Sequence, residues 1–408
     1  MVTGIRLPPP FNRLAWSNLA AQSADQIALA AASIVAVLML GAGAGETGLL
    51  QTALTLPFPL LAIPVGLMVD RMPRRQLMAG AETLRALSLL ALVATIQLHL
   101  ISWPILSLLG FIAVCGTVTF SVAAPALIPS LVPPDILPAA NARIELARTT
   151  AFALGPALGG IVIGWIGAAT AFGLAAILSG LAALLLRGLR EPARQVPSRR
   201  QLLQEIGRGI SFVFQHPLLA PVFITQFVFN TALFLTFAIF VPHAVYNLGL
   251  PAAGVGATLG MLGVGMVLGA LLAPRIIGLL PFGTVIAIGP FAGFGASILM
   301  GLTIWWPTPL LAGASFFLLG VGPILWVIST ATLRQTITPR DLLGRVSAVN
   351  ILAYAARPIG SALGSLIGGL CGIETCLLAA VAGFALQALV IVTSPTVRLK
   401  QQPEITVC

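Results

Sequence analysis

Charge is scarce in this chain. Only 8% of its 408 residues are Asp, Glu, Lys or Arg, and 58% are apolar. In water, a core of that size would leave too little polar surface to cover it, which excludes an ordinary soluble globular protein. Catalytic clusters are missing as well. No Cys/His set has zinc spacing, no Gly-x-x-x-x-Gly-Lys phosphate loop occurs, and the three histidines lie far apart with no nameable Ser/His/Asp arrangement. We therefore expect no enzyme, no ATP hydrolysis, no metal and no other cofactor. The first apolar stretch is too long for a cleavable signal peptide, carries Asn18 and Asp25, and lacks a small-x-small cleavage site. It is expected to be the first span of the mature protein. Cysteine is sparse too: Cys115, Cys371, Cys376 and Cys408. Free thiols are expected, with a Cys371–Cys376 bridge as the alternative that spacing alone does not decide.

What the chain does have is apolar stretches of membrane length. At about 20 residues per span, the length accommodates roughly twelve. Spans are predicted at 14–40, 47–69, 76–98, 104–127, 142–164 and 167–187, then at 217–246, 252–278, 282–303, 308–332, 346–370 and 374–394. The abundant glycine (42) and proline (30) are compatible with membrane helices. The expected fold class is an all-α membrane protein with twelve transmembrane helices in two pseudo-symmetric six-helix halves. Residues 1–187 form the first bundle, 188–216 a cytoplasmic linker and 217–408 the second bundle. Within the linker, Leu203, Ile206, Ile210 and Val213 at helical spacing, with Arg199, Arg200 and Arg208, predict an amphipathic helix on the inner leaflet.

The net charge of +10 raises a nucleic-acid reading, which the distribution of the basic residues counters. Sixteen of them, from Arg6 to Lys400, fall in predicted cytoplasmic segments. Arg143 and Arg275 fall at the cytoplasmic boundary, and Arg85, Arg148 and Arg357 fall within helices. Predicted external loops hold Glu46, His99, His243 and Glu374 but no basic residue. This asymmetry is an orientation signal and predicts both termini in the cytoplasm. The halves also echo each other. Pro133-x-Asp135-x-Leu137 precedes span five, and Pro339-x-Asp341-x-Leu343 precedes span eleven. Weak internal symmetry is what a transporter built from two repeats should show.

Asp70-Arg71-Met72-Pro73-Arg74-Arg75, between spans two and three, cannot lie in lipid and is read as a tight basic cytoplasmic hairpin. With Gly66 it makes Gly66-x-x-x-Asp70-Arg71-x-x-Arg74-Arg75, which resembles the loop motif of the major facilitator superfamily, with Pro73 where the family usually has glycine. Within that family the chain resembles bacterial efflux proteins such as enterobactin exporters and macrolide efflux pumps. Gly209-x-x-Phe212-x-x-x-His216-Pro217-Leu218-Leu219 and Pro339-x-Asp341-x-Leu343-Gly344-Arg345-Val346 also carry that resemblance. It implies that Gly66, Asp70, Arg71, Arg74 and Arg75 latch the two halves on the cytoplasmic side during alternating access. The alternative is that the arginines only set topology. Two departures matter: Ala151 stands where the span-five antiporter motif has a glycine, and residues 104–127 carry no charge where many drug–proton antiporters have an arginine. The family's proton-coupling scheme is therefore not carried across.

Asp25 is the leading candidate for transport chemistry. It lies about 16 Å along a helix that starts near Leu14, at about 1.5 Å per residue. That is close to the middle of a hydrocarbon core of roughly 30 Å. A carboxylate there costs several kcal/mol unless it is paired, hydrated or protonated. Asn18, Gln22 and Asp25 share one helix face, with Gln26 at its edge, and this face is expected to look into a central cavity. Burial favours the neutral acid, so Asp25 could exchange a proton or contact a cationic substrate. The alternative is a packing residue bonded to a neighbour. Arg357 is read as a counter-ion of Asp25, an anionic-substrate contact or a helix-to-helix tie. Glu82 with Arg85, and Glu145 with Arg148, read as structural pairs. Gln226 and Asn230 lie on one face of span seven, while Phe223, Phe227, Phe234 and Trp326 are candidates to line an apolar cavity. Gly155, Gly159, Gly160, Gly360, Gly364 and Gly368 should permit close helix packing, and Pro156 and Pro358 should bend their helices.

The expected function is a secondary transporter of the bacterial inner membrane, exporting an amphipathic, drug-like small molecule by proton antiport. Its expected partners are that substrate, protons and the lipid bilayer, with no nucleic acid, and the chain is expected to be a monomer. A siderophore or metabolite exporter is the near alternative. A non-transporting receptor is the distant one, separable because it would bind ligand without translocating it.

Overall fold

A computed structural model describes residues 8–133, 136–189, 202–339, 342, 346, 349 and 353–401; at 63, 70, 126, 138, 202–206 and 208 it describes the backbone alone. Arg6, Asp135, Arg190, Arg194, Arg199, Arg200, Arg340, Asp341, Leu343, Gly344, Arg345 and Cys408 lie outside the described residues. So do the side chains of Asp70, Leu203, Ile206 and Arg208.

Within lipid a backbone must satisfy its own hydrogen bonds, and an apolar chain of this length does so as helices. The helices are α1 (Pro9–Leu38), α2 (Ala44–Thr55), α3 (Pro57–Arg71), α4 (Arg74–Gln97), α5 (Trp103–Leu131), α6 (Leu137–Trp165) and α7 (Ala168–Arg187). They continue with α8 (Leu202–Gln215), α9 (Leu219–Pro242), α10 (Ala252–Leu279), α11 (Phe282–Leu302), α12 (Pro309–Ile337) and α13 (Ala356–Thr393). No strand occurs among the described residues.

Among the described residues, ten helical segments are long and apolar enough to cross a membrane. Two breaks account for the twelve expected spans. The second span divides into α2 and α3 because Pro57 opens a new helix, where its missing N–H costs nothing. The last long helix turns at Gly372, whose φ of 88° lies in the left-handed region. That turn falls in the gap predicted between spans eleven and twelve. The sequence expectations need correction at two points. Pro358 sits in the first turn of α13, where proline is tolerated, so it does not bend the helix interior. Cys371 and Cys376 are free thiols, as expected, one exposed and one buried. His243, expected in an external loop, is buried in a π-helical turn (His243–Asn247) that continues α9, with its Nε2 2.7 Å from the Thr303 hydroxyl.

The chain forms two compact units. One comprises Met1–Ala42, Ala53–Pro197 and Gly249–Gly260; the other comprises Gly43–Thr52, Ser198–Leu248 and Met261–Cys408. Each unit thus takes in a short segment from beyond the linker.

Glycine sets how closely the helices of each unit approach. In the first unit, a Cβ on Gly155 would lie 2.5 Å from the Gln26 Cβ, and one on Gly160 would lie 2.4 Å from the Ala252 carbonyl oxygen. In the second, a Cβ on Gly360 would lie 2.2 Å from the Thr231 carbonyl oxygen, and one on Gly364 2.9 Å from that of Leu235. Close approach of this kind adds dispersion contacts where lipid supplies no hydrophobic driving force between helices. The same device joins α10 to α12 through Gly265 and Gly320, which the sequence reading did not single out.

The described end of α8 leads into α9 through His216. The His216 Nδ1 accepts the Leu218 N–H at 3.1 Å. Burial holds this histidine below its ordinary value. The unfolded chain therefore binds more protons as pH falls from about 6.5 through the folded value. The stability from neutral His216 is complete above that window and is lost as pH drops through it. Protonated Nδ1 also cannot accept the Leu218 N–H.

Two measurements test this packing. Gly360→Ala should destabilise the protein by about 1–3 kcal/mol in thermal unfolding in detergent. Gly173→Ala, with nothing within 4 Å of the added Cβ, should leave the midpoint unchanged or raised. Amide exchange at Leu218, taken relative to the intrinsic rate at each pH, should quicken as pH falls through the lowered range of His216, and His216→Phe should abolish that pH dependence.

Candidate functional site

Asp25 lies near the middle of α1, buried at 8% exposure. Its Oδ1 accepts the Thr117 hydroxyl of α5 at 2.5 Å, and its Oδ2 accepts Gln26 Nε2 at 3.2 Å. The Thr117 hydroxyl oxygen in turn accepts Arg85 Nη2 of α4 at 2.7 Å. Arg85 is the hub of this network. Its Nη1 donates to the Ala21 carbonyl oxygen at 2.9 Å and to Glu82 Oε2 at 3.2 Å, and its Nε donates to that of Ala113 at 3.4 Å. The Ser179 hydroxyl of α7 adjoins the Glu82 carboxylate. Glu82 is fully buried and Arg85 is 2% exposed.

The guanidinium fits because its surroundings are small. A Cβ on Gly116 would lie 2.8 Å from the Ala81 carbonyl oxygen and 3.3 Å from the Arg85 Cβ. Without it, α5 comes close enough for Arg85 to reach the Ala113 carbonyl and the Thr117 hydroxyl. One side chain thus ties α1, α4 and α5 together through four hydrogen bonds to different groups. Arg85 and Glu82 form the pair that the sequence spacing predicted. The spacing gave no sign that this pair extends to Asp25.

The four polar residues of α1 divide between neighbours. Asn18 donates to the Ile144 carbonyl oxygen of α6 at 3.3 Å, Gln26 packs over Gly155 of α6, and Asp25 turns to α5. Gln22 is half-buried. A polar group inside a bundle finds a partner because an unsatisfied one costs several kcal/mol.

Arg357 forms a second polar centre, in the other unit. Its Nε donates to Asn230 Oδ1 at 3.3 Å, and its guanidinium lies 4.1 Å from the Tyr354 ring centre and 5.2 Å from that of Phe234. Asn230 Nδ2 donates to the Gln226 carbonyl oxygen at 2.9 Å, one turn back in α9. Of the other aromatic candidates, Phe223 and Phe227 are half-buried, whereas Trp326 is buried with its Cβ against Gly289 in the α11–α12 seam. Exposed Glu145 and half-buried Arg148 form a pair at 2.5 Å.

The basic hairpin is anchored within its own unit. Arg75 Nη1 donates to the Leu189 carbonyl oxygen at 3.1 Å and reaches that of Arg187 at 3.5 Å. Arg13 donates to the carbonyl oxygen of Gly188 between them. Two cations therefore sit at the carbonyl end of α7, where the helix dipole favours positive charge. Arg74 is buried, Arg71 is exposed, and a Cβ on Gly66 would meet nothing within 4 Å. Among the described residues, no cluster of His, Cys, Asp and Glu could hold a metal.

Comparison with known proteins follows from this architecture. The family described as Major Facilitator Superfamily matches residues 14–364. A curated relative, the "Uncharacterized MFS-type transporter y4rN" of Sinorhizobium fredii, is 31% identical over 268 residues. That match covers 61% of this chain and spans 63% of the relative's length. Among solved structures, a bacterial homologue of the human lysosomal transporter Spinster superposes with a TM-score of 0.72 at 16% identity, covering 97% of this chain and 98% of that one. A bacterial homologue of the iron transporter ferroportin, in an inward-facing state, gives 0.72 at 16%, covering 94% and 98%. A POT family transporter in complex with 5-aminolevulinic acid gives 0.76 at 13%, covering 96% and 97%. At these identities the likeness is one of fold.

Removing one partner of a buried ion pair leaves a stranded charge, which costs about 3–5 kcal/mol. Arg85→Ala alone should therefore destabilise the purified protein strongly. Glu82→Ala/Arg85→Ala should cost less than the sum of the two single variants. A double-mutant cycle on thermal unfolding in detergent measures the difference, and strict additivity would show that the pair is not coupled.

Proposed function

Since the chain belongs to the major facilitator superfamily and is a multi-pass membrane transporter, we propose that it exports an amphipathic, drug-like small molecule across the bacterial inner membrane in exchange for protons. Both termini then lie in the cytoplasm, a reading that the arginine distribution supports. The protein needs no cofactor and works as a monomer by alternating access of a midplane site.

One observation carries the coupling. The network of Asp25, Glu82 and Arg85 holds two carboxylates and one guanidinium, all buried. Fully ionised, it carries one uncompensated negative charge, and an uncompensated buried charge costs several kcal/mol. A proton supplies the missing charge without needing additional space. The carbonyls and hydroxyl that could hold a larger cation are already occupied by Arg85. Asp25 is the acid that exchanges with water in this reading, since Glu82 is in direct contact with Arg85. Gly66, Asp70, Arg71, Arg74 and Arg75 form the cytoplasmic latch, with Arg75 bracing the end of α7.

A second reading concerns the charge of the substrate. Arg357, with a neutral amide and two aromatic rings around it, suits an anionic, partly aromatic molecule such as a siderophore or acidic metabolite. Asn230, Gln226 and Phe234 would share that contact.

Efflux from proteoliposomes with and without an imposed pH gradient tests the main reading. The gradient should accelerate efflux, and Asp25→Asn should abolish the acceleration. Equal rates with and without the gradient would reject proton coupling. Under the second reading, Arg357→Gln should raise KM for acidic compounds about tenfold or more, the loss of one charge-assisted hydrogen bond, and leave neutral compounds unchanged.

A further inference from the structure

We propose that the groove between α10 and α12 is a phospholipid site, in which Arg275 holds the phosphate and the apolar walls hold an acyl chain. The site does not depend on the export reading. Only its assignment to the inner leaflet follows from the orientation proposed above.

Arg275 is the one charged residue in the sequence of α10. It lies about 6 Å inside the end of that helix at Leu279, at about 1.5 Å per residue. Leu271 and Leu272 before it and Leu279 and Leu280 after it are all exposed, so the guanidinium is set within apolar surface. Among the described residues its side chain makes no hydrogen bond or ion pair, and the sequences of α10, α11 and α12 contain no acid. A charged side chain in a membrane helix is almost always paired. Here the described protein supplies no partner, so the counter-charge comes from the surroundings. At the depth of the last helical turn a bilayer offers the phospholipid phosphate. Arginine matches that group with two parallel N–H donors.

The surface beside Arg275 has the shape for the rest of such a molecule. Arg275 and six apolar residues, Leu268, Leu271, Leu272, Pro274, Phe317 and Val321, line an open groove of about 610 Å³. Small-molecule sites commonly enclose about 300–1,000 Å³. Gly265 and Gly320 let the two helices meet backbone to backbone, and a Cβ on Gly269 would lie 2.7 Å from the Val321 carbonyl oxygen. The groove beside this seam therefore keeps its shape. From Leu268 to Arg275 it follows about 10 Å of helix, roughly two thirds of the hydrocarbon depth of one leaflet. An arginine that merely snorkels to water needs no groove and holds no particular lipid. A basic pocket between two helices can hold a lipid headgroup.

Photolabelling of the purified full-length protein in detergent tests the site. The probe is dioleoylphosphatidylglycerol with a diazirine in one acyl chain; its phosphate is its only charged group. Label should concentrate on residues 268–272 and 317–321. Unlabelled dioleoylphosphatidylglycerol should displace the probe, whereas dioleoylglycerol, with the same chains and no phosphate, should not. Arg275→Gln should raise the probe concentration for half-maximal labelling of the groove about tenfold, and Arg275→Lys should raise it less. Leu272→Trp, which fills the groove and keeps the charge, should also weaken labelling. Arg143→Gln, at an exposed arginine of α6, should leave it unchanged. Label spread evenly over exposed helix faces, equal displacement by the two competitors, or an unchanged half-maximal concentration in Arg275→Gln overturns the inference. The competition uses the parent protein, so it decides even where a variant does not fold.

Discussion

A guanidinium cannot be left unsatisfied in a membrane bundle, and the first unit is built around that constraint. Arg85 is 2% exposed and draws acceptors from α1, α4 and α5. A single neutral hydrogen bond contributes about 1 kcal/mol, whereas stranding a buried charge costs several. The network therefore behaves as a unit. Its acceptors include two backbone carbonyls, which fix the helices themselves and not merely side-chain rotamers. The absence of a Cβ at Gly116 is part of the same solution, since a side chain there would push α5 away from Arg85.

Close packing and buried charge thus support each other. Helices held apart by large side chains would admit water or leave donors unmet. Helices held together by Gly155, Gly160 and Gly116 exclude water, so every polar group must find a protein partner. Asn18, Gln26 and Asp25 each do so, and in doing so they point different ways from one helix face. The second unit repeats the packing device at Gly360 and Gly364 and sets its arginine beside an amide and aromatic rings. The two units share a method of packing while differing in how they house charge.

Much of the architecture was legible because lipid imposes simple rules. Apolar length gave the spans, and the break at Gly372 fell where a loop was expected. The Glu82–Arg85 pair followed from i, i+3 spacing alone. The site was legible only in part. Helical periodicity says which residues share a face, but it does not say which neighbouring helix each will meet. Asp25 stood out as a costly acid, whereas its partner Thr117 looked like any threonine in a span without charge. The only hint was its place beside Gly116. Pro358 was misjudged for a related reason: whether proline bends a helix depends on where the helix starts, and α13 is described from Ala356.

The choice of a hydroxyl between acid and base has a consequence for exchange chemistry. A direct carboxylate–guanidinium contact strongly favours the ionised acid, commonly by one to three pH units in general. Glu82 and Arg85 meet in such a direct contact, one turn apart on α4. A hydroxyl placed between them transmits orientation while keeping the charges one side chain further apart. Coulomb attraction falls with distance, and the hydroxyl's own bond accounts for much of the remaining preference. The same arginine therefore holds three helices in place while meeting one carboxylate directly and the other only through a hydroxyl.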